Sequence, residues 1–319
     1  MKKEYRKRSK FGVISALSSG TLWGLDTTIS GFILMMSPYI SIKETIFLAP
    51  IIAAFLHDFS SAIWMSIFSI VKKDFRHIIG LLRTRSGRFV MLAALFGGPV
   101  GMMGYLIAIS NIGPGYTAAI SAIYPAAGAF FSYLFLKVKL SKKGWLGISM
   151  SIVSIIILGY SPDANSVVNF PLGFLAALIC VLGWSLESVI CAYGMKDDVS
   201  PEQALTIRQM TSSIVYLLIV VFTIRAGTFT LEAIKSKSMI YMGLTALIGT
   251  LSYICYYTGI DSIGPVRATG LNITYSIWAM IFSMIILGGQ FSLKLVFCSL
   301  LIIVGSILVS KNNWNIIIF

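Results

Sequence analysis

Long apolar stretches separated by short polar segments recur along the whole 319-residue chain. A helix needs about 20 apolar residues to cross a lipid bilayer, and stretches of this length occur ten times. The pattern predicts an all-α integral membrane protein with no soluble domain left over. The predicted membrane-spanning helices are residues 11–35, 44–71, 88–110, 114–136, 143–160, 171–195, 201–224, 238–260, 265–288 and 292–310.

Composition and charge support a membrane protein rather than a nucleic-acid-binding one. The chain is 57% hydrophobic and only 12% charged, although its net charge is +13. With the N-terminus inside, 19 of the 25 Lys and Arg residues fall in inner segments and five in outer ones. This bias predicts that both termini are cytoplasmic. The basic stretches Lys2–Lys10 and Lys72–Arg88 are then orientation signals that also contact anionic membrane lipid.

The second half of the chain repeats aromatic and polar positions of the first half. At an offset of 161, Trp23 corresponds to Trp184 and Asp26 corresponds to Glu187. Chance similarity between apolar helices does not easily match Trp, acid, Tyr and Gly-Pro positions together. At an offset of 151 the repeat pairs Gly113-Pro114 with Gly264-Pro265, Tyr105 with Tyr256, Ser121 with Asn272, and Tyr124 with Tyr275.

The repeat divides the chain into two units of five predicted helices each. Because five is odd, the second unit enters the membrane in the opposite orientation, as in the inverted repeats of secondary transporters. Alternation between two open states requires helices that bend, and Pro99 and Pro125 are the predicted bending points. The predicted organisation is a basic segment 1–10, a first repeat 11–160, a second repeat 161–310 and a tail 311–319.

Short motifs carry a family resemblance over residues 11–310. The ten helices, the duplicated halves, Trp23-Gly24 and the two Gly-Pro pairs resemble the drug/metabolite transporter superfamily, which is EamA-like. Further motifs resemble the LicB-type choline permeases of bacteria, which implies import of choline across the cytoplasmic (inner) membrane by alternating access. These motifs are His57-Asp58-Phe59, Gly98-Pro99-Val100-Gly101-Met102, residues 121–126, Leu186-Glu187-Ser188-Val189, Ile207-Arg208-Gln209 and residues 268–272.

Aromatic residues lie beside a carboxylate at helical spacing. Residues three apart share a helix face, as Trp184 and Glu187 do. An organic cation binds aromatic faces, each worth about 0.5–2 kcal/mol, and a nearby carboxylate; ordinary packing is the alternative for each ring. The candidate substrate-binding residues are Trp23, Tyr105, Tyr124, Trp184, Glu187, Tyr253, Tyr256, Asn272, Tyr275 and Trp278.

The resemblance implies roles for several of these residues. Glu187 would be the counter-charge, and Asn272 or Ser121 would bind the hydroxyl of choline. The aromatic box would consist of Trp23, Trp184, Tyr256, Tyr275 and Trp278.

Asp26 departs from the resemblance, which leads us to expect a small or neutral residue there. Three roles fit it: a second carboxylate of the site, a polar residue facing a watery vestibule, or an ion-pair partner of Arg208. Two carboxylates in the site would favour a diamine. Choline is preferred because a diamine requires hydrogen-bond acceptors rather than many rings.

Two polar pairs, His57-Asp58 and Arg208-Gln209, occupy matching places in the second and seventh predicted helices. Ionisable groups inside a bilayer are costly and usually belong to a pathway or a site. These pairs fit either a proton shuttle or a structural clamp, and Glu187 is another candidate proton carrier. Protons are therefore a hypothetical second partner, and the membrane potential alone can also drive a cation inward.

Other protein classes lack support in the sequence. There is no nucleophile–base constellation, phosphate loop or Gly-rich dinucleotide turn, so we expect neither an enzyme nor a cofactor. The four Cys and two His residues do not have metal-ligand spacing. Nothing resembles the filter loop of a channel. The main alternative is an exporter of amino acids, diamines or other small metabolites.

Overall fold

The computed structural model describes residues 2–41, 47–136, 139–160, 168–194, 199–263, 265–289 and 291–312. Within these ranges the chain is helical and contains no β-strand. The helices are α1 (Lys2–Leu34), α2 (Leu48–Val71), α3 (Phe75–Leu81), α4 (Arg85–Leu95), α5 (Met103–Ser121), α6 (Tyr124–Leu136), α7 (Lys142–Tyr160), α8 (Phe170–Gly194), α9 (Pro201–Phe222), α10 (Ala226–Lys235), α11 (Ser238–Ile263), α12 (Pro265–Asn272), α13 (Tyr275–Leu287) and α14 (Leu293–Asn312).

Seven helical stretches within the described ranges are long and apolar enough to cross a membrane. An eighth, Leu293–Val309, is apolar but shorter. These stretches confirm the all-helical, membrane-compatible class that the hydrophobic pattern predicts. The seven are Leu48–Val71, Arg85–Ser121, Lys142–Gly159, Phe170–Cys191, Pro201–Phe222, Ser238–Ile263 and Arg267–Leu287.

Helix α1, which contains the first predicted span, is less apolar because it lies inside the bundle. It packs against α5, α11, α12 and α13. An added Cβ at Gly20 would lie 2.5 Å from Thr274 Oγ1, and one at Gly24 would lie 2.5 Å from Trp278 Cβ. Small residues allow this close approach of helices in a membrane. The inner part of α1 can therefore carry buried polar side chains such as Ser19, Asp26 and Thr27, whereas Phe11 and Ile14 near its start are exposed.

The predicted turn between the third and fourth spans is a sharp bend at one residue. Gly113 has a φ of 78°, a conformation that glycine adopts without a steric penalty. Pro114 follows as the first residue of the continuing helix, a position where its missing N–H costs nothing. This geometry explains the Gly-Pro motif. The corresponding Gly264 lies outside the described residues.

Two helical segments are broken in their middle; the sequence predicts a bend at Pro125 in the first of them and none in the second. α5 ends at Ser121 and α6 begins at Tyr124, whereas α12 ends at Asn272 and α13 begins at Tyr275. Ser121 and Asn272 are 151 positions apart, the offset of the sequence repeat. The predicted spans 114–136 and 265–288 are therefore each two shorter helices. Interrupted helices at corresponding positions of two halves are typical of transporter binding sites.

A second irregularity separates α4 from α5. Residues Phe96–Met102 form a π-helical segment that contains Pro99, and a single π-turn is a frequent device at functional sites. The segment presents two backbone carbonyls to side chains. Gly97 O accepts a hydrogen bond from Trp184 Nε1 at 3.3 Å, and Gly98 O accepts one from Tyr216 OH at 2.9 Å.

Two predicted boundaries lie partly outside the described residues. The junction between the proposed halves falls at 160–161, and residues 161–167 are not described. The predicted tail begins at 311, of which residues 313–319 are not described. The exact boundary between the two repeats therefore stays a prediction.

Candidate binding site

Trp184, on α8, lies at the centre of a buried aromatic cluster. Its ring centroid is 4.7 Å from that of Tyr105, 5.5 Å from that of Trp23 and 6.0 Å from that of Tyr124. Trp23 in turn lies 5.1 Å from Tyr253 in an edge-to-face arrangement. Contacts of this kind are favourable beyond the burial of apolar area. Rings from five helices thus meet at one place.

A cavity opens beside this cluster, and about 480 Å³ of space, which includes open solvent at its mouth, lies between the surrounding atoms. The side chain of Glu187 forms part of its wall. At one end the lining reaches Cys191 and Ile260, which lie three residues before the ends of α8 and α11. The cavity therefore extends from the middle of the bundle toward that end.

The two helix breaks are joined to each other by reciprocal hydrogen bonds. Tyr124 OH donates to Asn272 Oδ1 at 3.1 Å, and the hydroxyls of Tyr275 and Ser121 are 2.7 Å apart. Tyr124 corresponds to Tyr275, and Ser121 to Asn272, at the repeat offset. Each broken helix thus contributes a Tyr that bonds to the residue ending the partner helix.

The breaks are also linked to the cavity wall. Asn272 Nδ2 donates to Ser19 Oγ at 2.6 Å, and Ser185 Oγ donates to the backbone carbonyl of Tyr124 at 2.9 Å. The hydroxyl of Tyr256 lies 2.8 Å from Thr269 Oγ1. The cavity lining therefore also includes hydroxyl and amide groups, those of Ser19, Tyr256 and Asn272.

Two buried ion pairs occupy equivalent places in the two halves. His57 Nε2 lies 2.9 Å from Asp26 Oδ1, and Arg208 Nε lies 2.9 Å from Glu187 Oε1. In each pair the acid comes from the Trp-x-x-acid helix and the base from the helix that follows. Buried charges require such partners, because an unpaired charge inside a protein is very costly.

Asp58 connects the two ion pairs into one cluster. Its Oδ1 lies 3.4 Å from His57 Nδ1 and 3.5 Å from Arg208 Nη1, and its Oδ2 accepts a hydrogen bond from Ser212 Oγ at 2.5 Å. Both ring nitrogens of His57 thus face carboxylates. Only the protonated imidazole can donate from both nitrogens, so this geometry suits a charged His57.

The cluster has more acids than bases. It contains three carboxylates, those of Asp26, Asp58 and Glu187, against one guanidinium and one imidazole ring. With all carboxylates ionised and His57 protonated, the net charge is −1. Because the cluster is buried, this deficit is not screened by solvent as it would be at a surface. A monovalent cation in the adjoining cavity would balance it.

Glycines hold the helices close to both ends of the cluster. An added Cβ at Gly97 would collide with the carboxylate of Glu187, and one at Gly249 would lie 2.9 Å from Asp26 Oδ1. The absence of a side chain at these positions therefore places each carboxylate directly against the backbone of a neighbouring helix.

The structure brings together most of the predicted site residues. Of the ten candidate substrate-binding residues, all except Tyr105 and Trp278 line the cavity. Tyr105 is fully buried behind it, where its hydroxyl lies 2.7 Å from Thr27 Oγ1. Trp278 is 36% exposed and stacks on Phe282 at 5.8 Å, because its side chain leaves α13 on the outer face.

The polar residues also differ in part from the sequence interpretation. Asp26 is fully buried and pairs with His57, so it is neither the partner of Arg208 nor a lining residue of the cavity. Glu187 does line the cavity, but it is already paired with Arg208. Gln209 lies beside Arg208 and accepts a hydrogen bond from its Nη1 at 2.8 Å. Ser121 contacts Tyr275 and does not line the cavity.

Several lining residues were missed by the sequence analysis. Tyr257 is four residues after Tyr253 and packs against it with a centroid distance of 6.0 Å. The spacing of four residues places Tyr253 and Tyr257 on one helix face, so Tyr257 could have been predicted. The sequence analysis instead paired Tyr253 with Tyr256. The small residues carry no such signal. The missed lining residues are Ser19, Ser188, Cys191, Ser252, Tyr257 and Ile260.

Comparison with known proteins identifies related sequences. The profile of the EamA-like transporter family matches the chain twice, over residues 10–160 and 171–311. Protein LicB of Haemophilus influenzae is 33% identical over 270 residues, which cover 85% of this chain and 86% of that protein. A solved structure, described only as the crystal structure of a protein, has a TM-score of 0.56 at 15% identity and covers 95% of this chain and 96% of its own.

These relationships agree with the resemblance carried by the sequence motifs. The family profile covers most of the chain, and the similarity to LicB extends over most of both proteins. The solved structure supports the fold alone. The chain therefore belongs to the EamA-like transporter family and is a multi-pass membrane transporter.

Proposed function

We propose that this transporter imports choline, or a closely similar quaternary ammonium compound, across the bacterial cytoplasmic membrane. The observation that carries the proposal is the cavity wall, where the rings of Trp23, Trp184 and Tyr253 stand beside the carboxylate of Glu187. A quaternary ammonium group has no N–H to donate. It is held by aromatic faces and a negative charge, which this wall supplies.

The buried charges favour a monovalent cation over a neutral or dicationic ligand. With all three carboxylates ionised and His57 protonated, the net charge of −1 on the cluster is balanced by one positive charge. A diamine would require a second free carboxylate in the cavity, but Asp26 is occupied by His57 and also accepts a hydrogen bond from Thr245 Oγ1 at 3.0 Å. These contacts argue against the diamine alternative within the family.

The proposed architecture is an inverted pair of five-helix repeats, 11–160 and 161–310, with both termini in the cytoplasm. It is supported by the double family match, by the helix breaks 151 positions apart and by the reciprocal Tyr124–Asn272 and Tyr275–Ser121 contacts. In this orientation α8 and α11 end on the cytoplasmic side. The cavity extends toward that side, so we assign the conformation to the inward-facing state of an alternating-access cycle.

The membrane potential supplies a sufficient driving force for import of a cation. An inside-negative potential contributes about 2.3 kcal/mol per elementary charge per 100 mV. Proton coupling is a separate hypothesis, motivated by the contact of His57 with Asp26 and Asp58. It predicts that uptake at a fixed potential responds to an imposed pH gradient, and indifference to that gradient would exclude it.

Purified transporter in proteoliposomes is expected to accumulate radiolabelled choline when an inside-negative potential is imposed. Uptake should saturate and should be inhibited by unlabelled choline. The neutral isostere 3,3-dimethylbutan-1-ol should not inhibit, because it fits the same space without the positive charge. The measurement is initial uptake rate against substrate concentration, with and without the potential.

Empty liposomes and liposomes with a collapsed potential are the controls. Saturable uptake that the neutral isostere inhibits as well as choline does would contradict a cation site. Absence of uptake, with the protein shown to be folded by thermal unfolding, would favour the alternative of an exporter of amino acids or other small metabolites.

A further inference from the structure

Arg208 is a fully buried arginine that lies directly behind the cavity wall. Its Nε donates to Glu187 Oε1 at 2.9 Å, and its Nη2 donates to the hydroxyl of Tyr253 at 3.1 Å. Its guanidinium carbon also lies 4.6 Å from the centre of the Tyr253 ring. Glu187 and Tyr253 both line the cavity. Arg208 therefore already binds a carboxylate and an aromatic ring of the kind that a substrate cation requires.

We propose that Arg208 acts as a tethered competitor of the substrate: its guanidinium neutralises Glu187 while the cavity is empty and gives up this carboxylate when a cation binds. The inference rests on the proposed function, since it concerns the same site. It assigns to Arg208 a specificity-determining role without direct contact between Arg208 and the substrate.

The surroundings of Arg208 allow it to release Glu187. Its Nη1 donates to Gln209 Oε1 at 2.8 Å and lies 3.5 Å from Asp58 Oδ1. These groups remain as partners when Glu187 turns to a cation in the cavity. Arg208 is therefore not left as an unpaired buried charge, which would be strongly unfavourable.

The arrangement selects by charge. A cation replaces the guanidinium as the counter-ion of Glu187, so the carboxylate stays compensated throughout. A neutral molecule of the same shape cannot do this and leaves the Glu187–Arg208 pair intact. The competition also weakens binding of the correct substrate, because each bound cation must first displace Arg208.

A structural clamp is the competing interpretation. If Arg208 only held α9 against α8, its removal would loosen the helices around Glu187. Substrate affinity would then fall or stay the same. The tethered-competitor interpretation requires the opposite change, so the sign of the affinity change distinguishes the two.

The experiment compares choline binding to the detergent-solubilised wild type and Arg208→Gln by titration calorimetry. Glutamine keeps a hydrogen-bond donor near Glu187 but removes the charge, so binding should tighten by about tenfold. Arg208→Lys keeps the charge and should stay near the wild-type affinity. Arg83→Gln removes an equal charge from an exposed position and should leave affinity unchanged.

A double variant keeps the test decisive if Arg208→Gln does not fold. Removing both partners leaves neither of them as an unpaired buried charge, and Asp58 keeps its contact with His57. Glu187→Gln/Arg208→Gln should therefore bind choline more tightly than Glu187→Gln, in which the charge of the guanidinium is no longer balanced by Glu187 and repels the cation. Tighter binding in either comparison supports the proposal. Equal or weaker binding by folded Arg208→Gln, or by the double variant, overturns it. Absence of binding by the wild type would instead reject the proposed function.

Discussion

Replacement of Glu187 by glutamine is expected to weaken choline binding by at least about thirtyfold. Removal of one member of a buried charge pair costs about 2 kcal/mol or more, which corresponds to that factor. Glutamine has nearly the same shape, so the change removes charge and little packing. It also leaves the Arg208 guanidinium without its 2.9 Å partner, which adds repulsion toward any cation in the cavity. The measurement is the dissociation constant by calorimetry in detergent.

Glu232→Gln is the matched control for this substitution. Glu232 is exposed on α10, so the same chemical change there should leave binding at the wild-type level. A folded Glu187→Gln variant with unaltered affinity would contradict the role of Glu187 as the counter-charge. The cation would then have to be held by the rings alone.

Trp184→Ala is expected to weaken choline binding by about thirtyfold, whereas Trp278→Ala should have no effect on it. A desolvated cation–π contact with Trp is worth about 2 kcal/mol, which gives this factor. Trp184 also positions three other rings, those of Tyr105, Trp23 and Tyr124, so its loss disorganises the cluster. Trp278 stacks on Phe282 away from the cavity. The measurement is again the dissociation constant of choline.

The comparison between the two tryptophans separates the structure from the family resemblance. The resemblance implies that both belong to the aromatic box, but the structure places only Trp184 at the cavity. Trp184→Phe keeps a ring and should retain more of the affinity than Trp184→Ala. Equal losses in Trp184→Ala and Trp278→Ala would show that the cavity described above is not the binding site. Thermal unfolding of each variant controls for misfolding, since deletion of a buried Trp costs about 3–5 kcal/mol of stability.

The membrane class and most of the residues that line the candidate cavity could be predicted from sequence because both depend on local pattern. Apolar stretches of fixed length identify membrane helices regardless of their packing. The Trp184–Glu187 spacing places both side chains on one helix face. The repeat offset then identifies their counterparts, Trp23 and Asp26, in the first half. Such signals do not require knowledge of which helices are neighbours.

The remaining features depend on neighbours that the sequence does not specify. The break before Pro125 could be predicted from this proline. The break after Asn272 has no proline next to it, so the sequence contains no comparable signal there. The orientation of Trp278 depends on which face of α13 packs against α1, where Gly24 allows the close approach. The partners of the buried charges also depend on packing. Arg208 was the base considered for Asp26, but the structure pairs Asp26 with His57 of α2.

The uncompensated charge of the buried cluster has a consequence for the electrical behaviour of the transport cycle. With a monovalent cation bound, the cluster and its ligand are neutral together. The switch of the loaded protein between its outward-open and inward-open states therefore moves no net charge of this site through the membrane electric field. With all three carboxylates ionised and His57 protonated, the empty protein of the proposed import cycle carries −1 in the same step. An inside-negative voltage drives that negative charge outward, so it accelerates the return of the empty carrier rather than the passage of the loaded one. A transient current in the absence of substrate is the signature of this step.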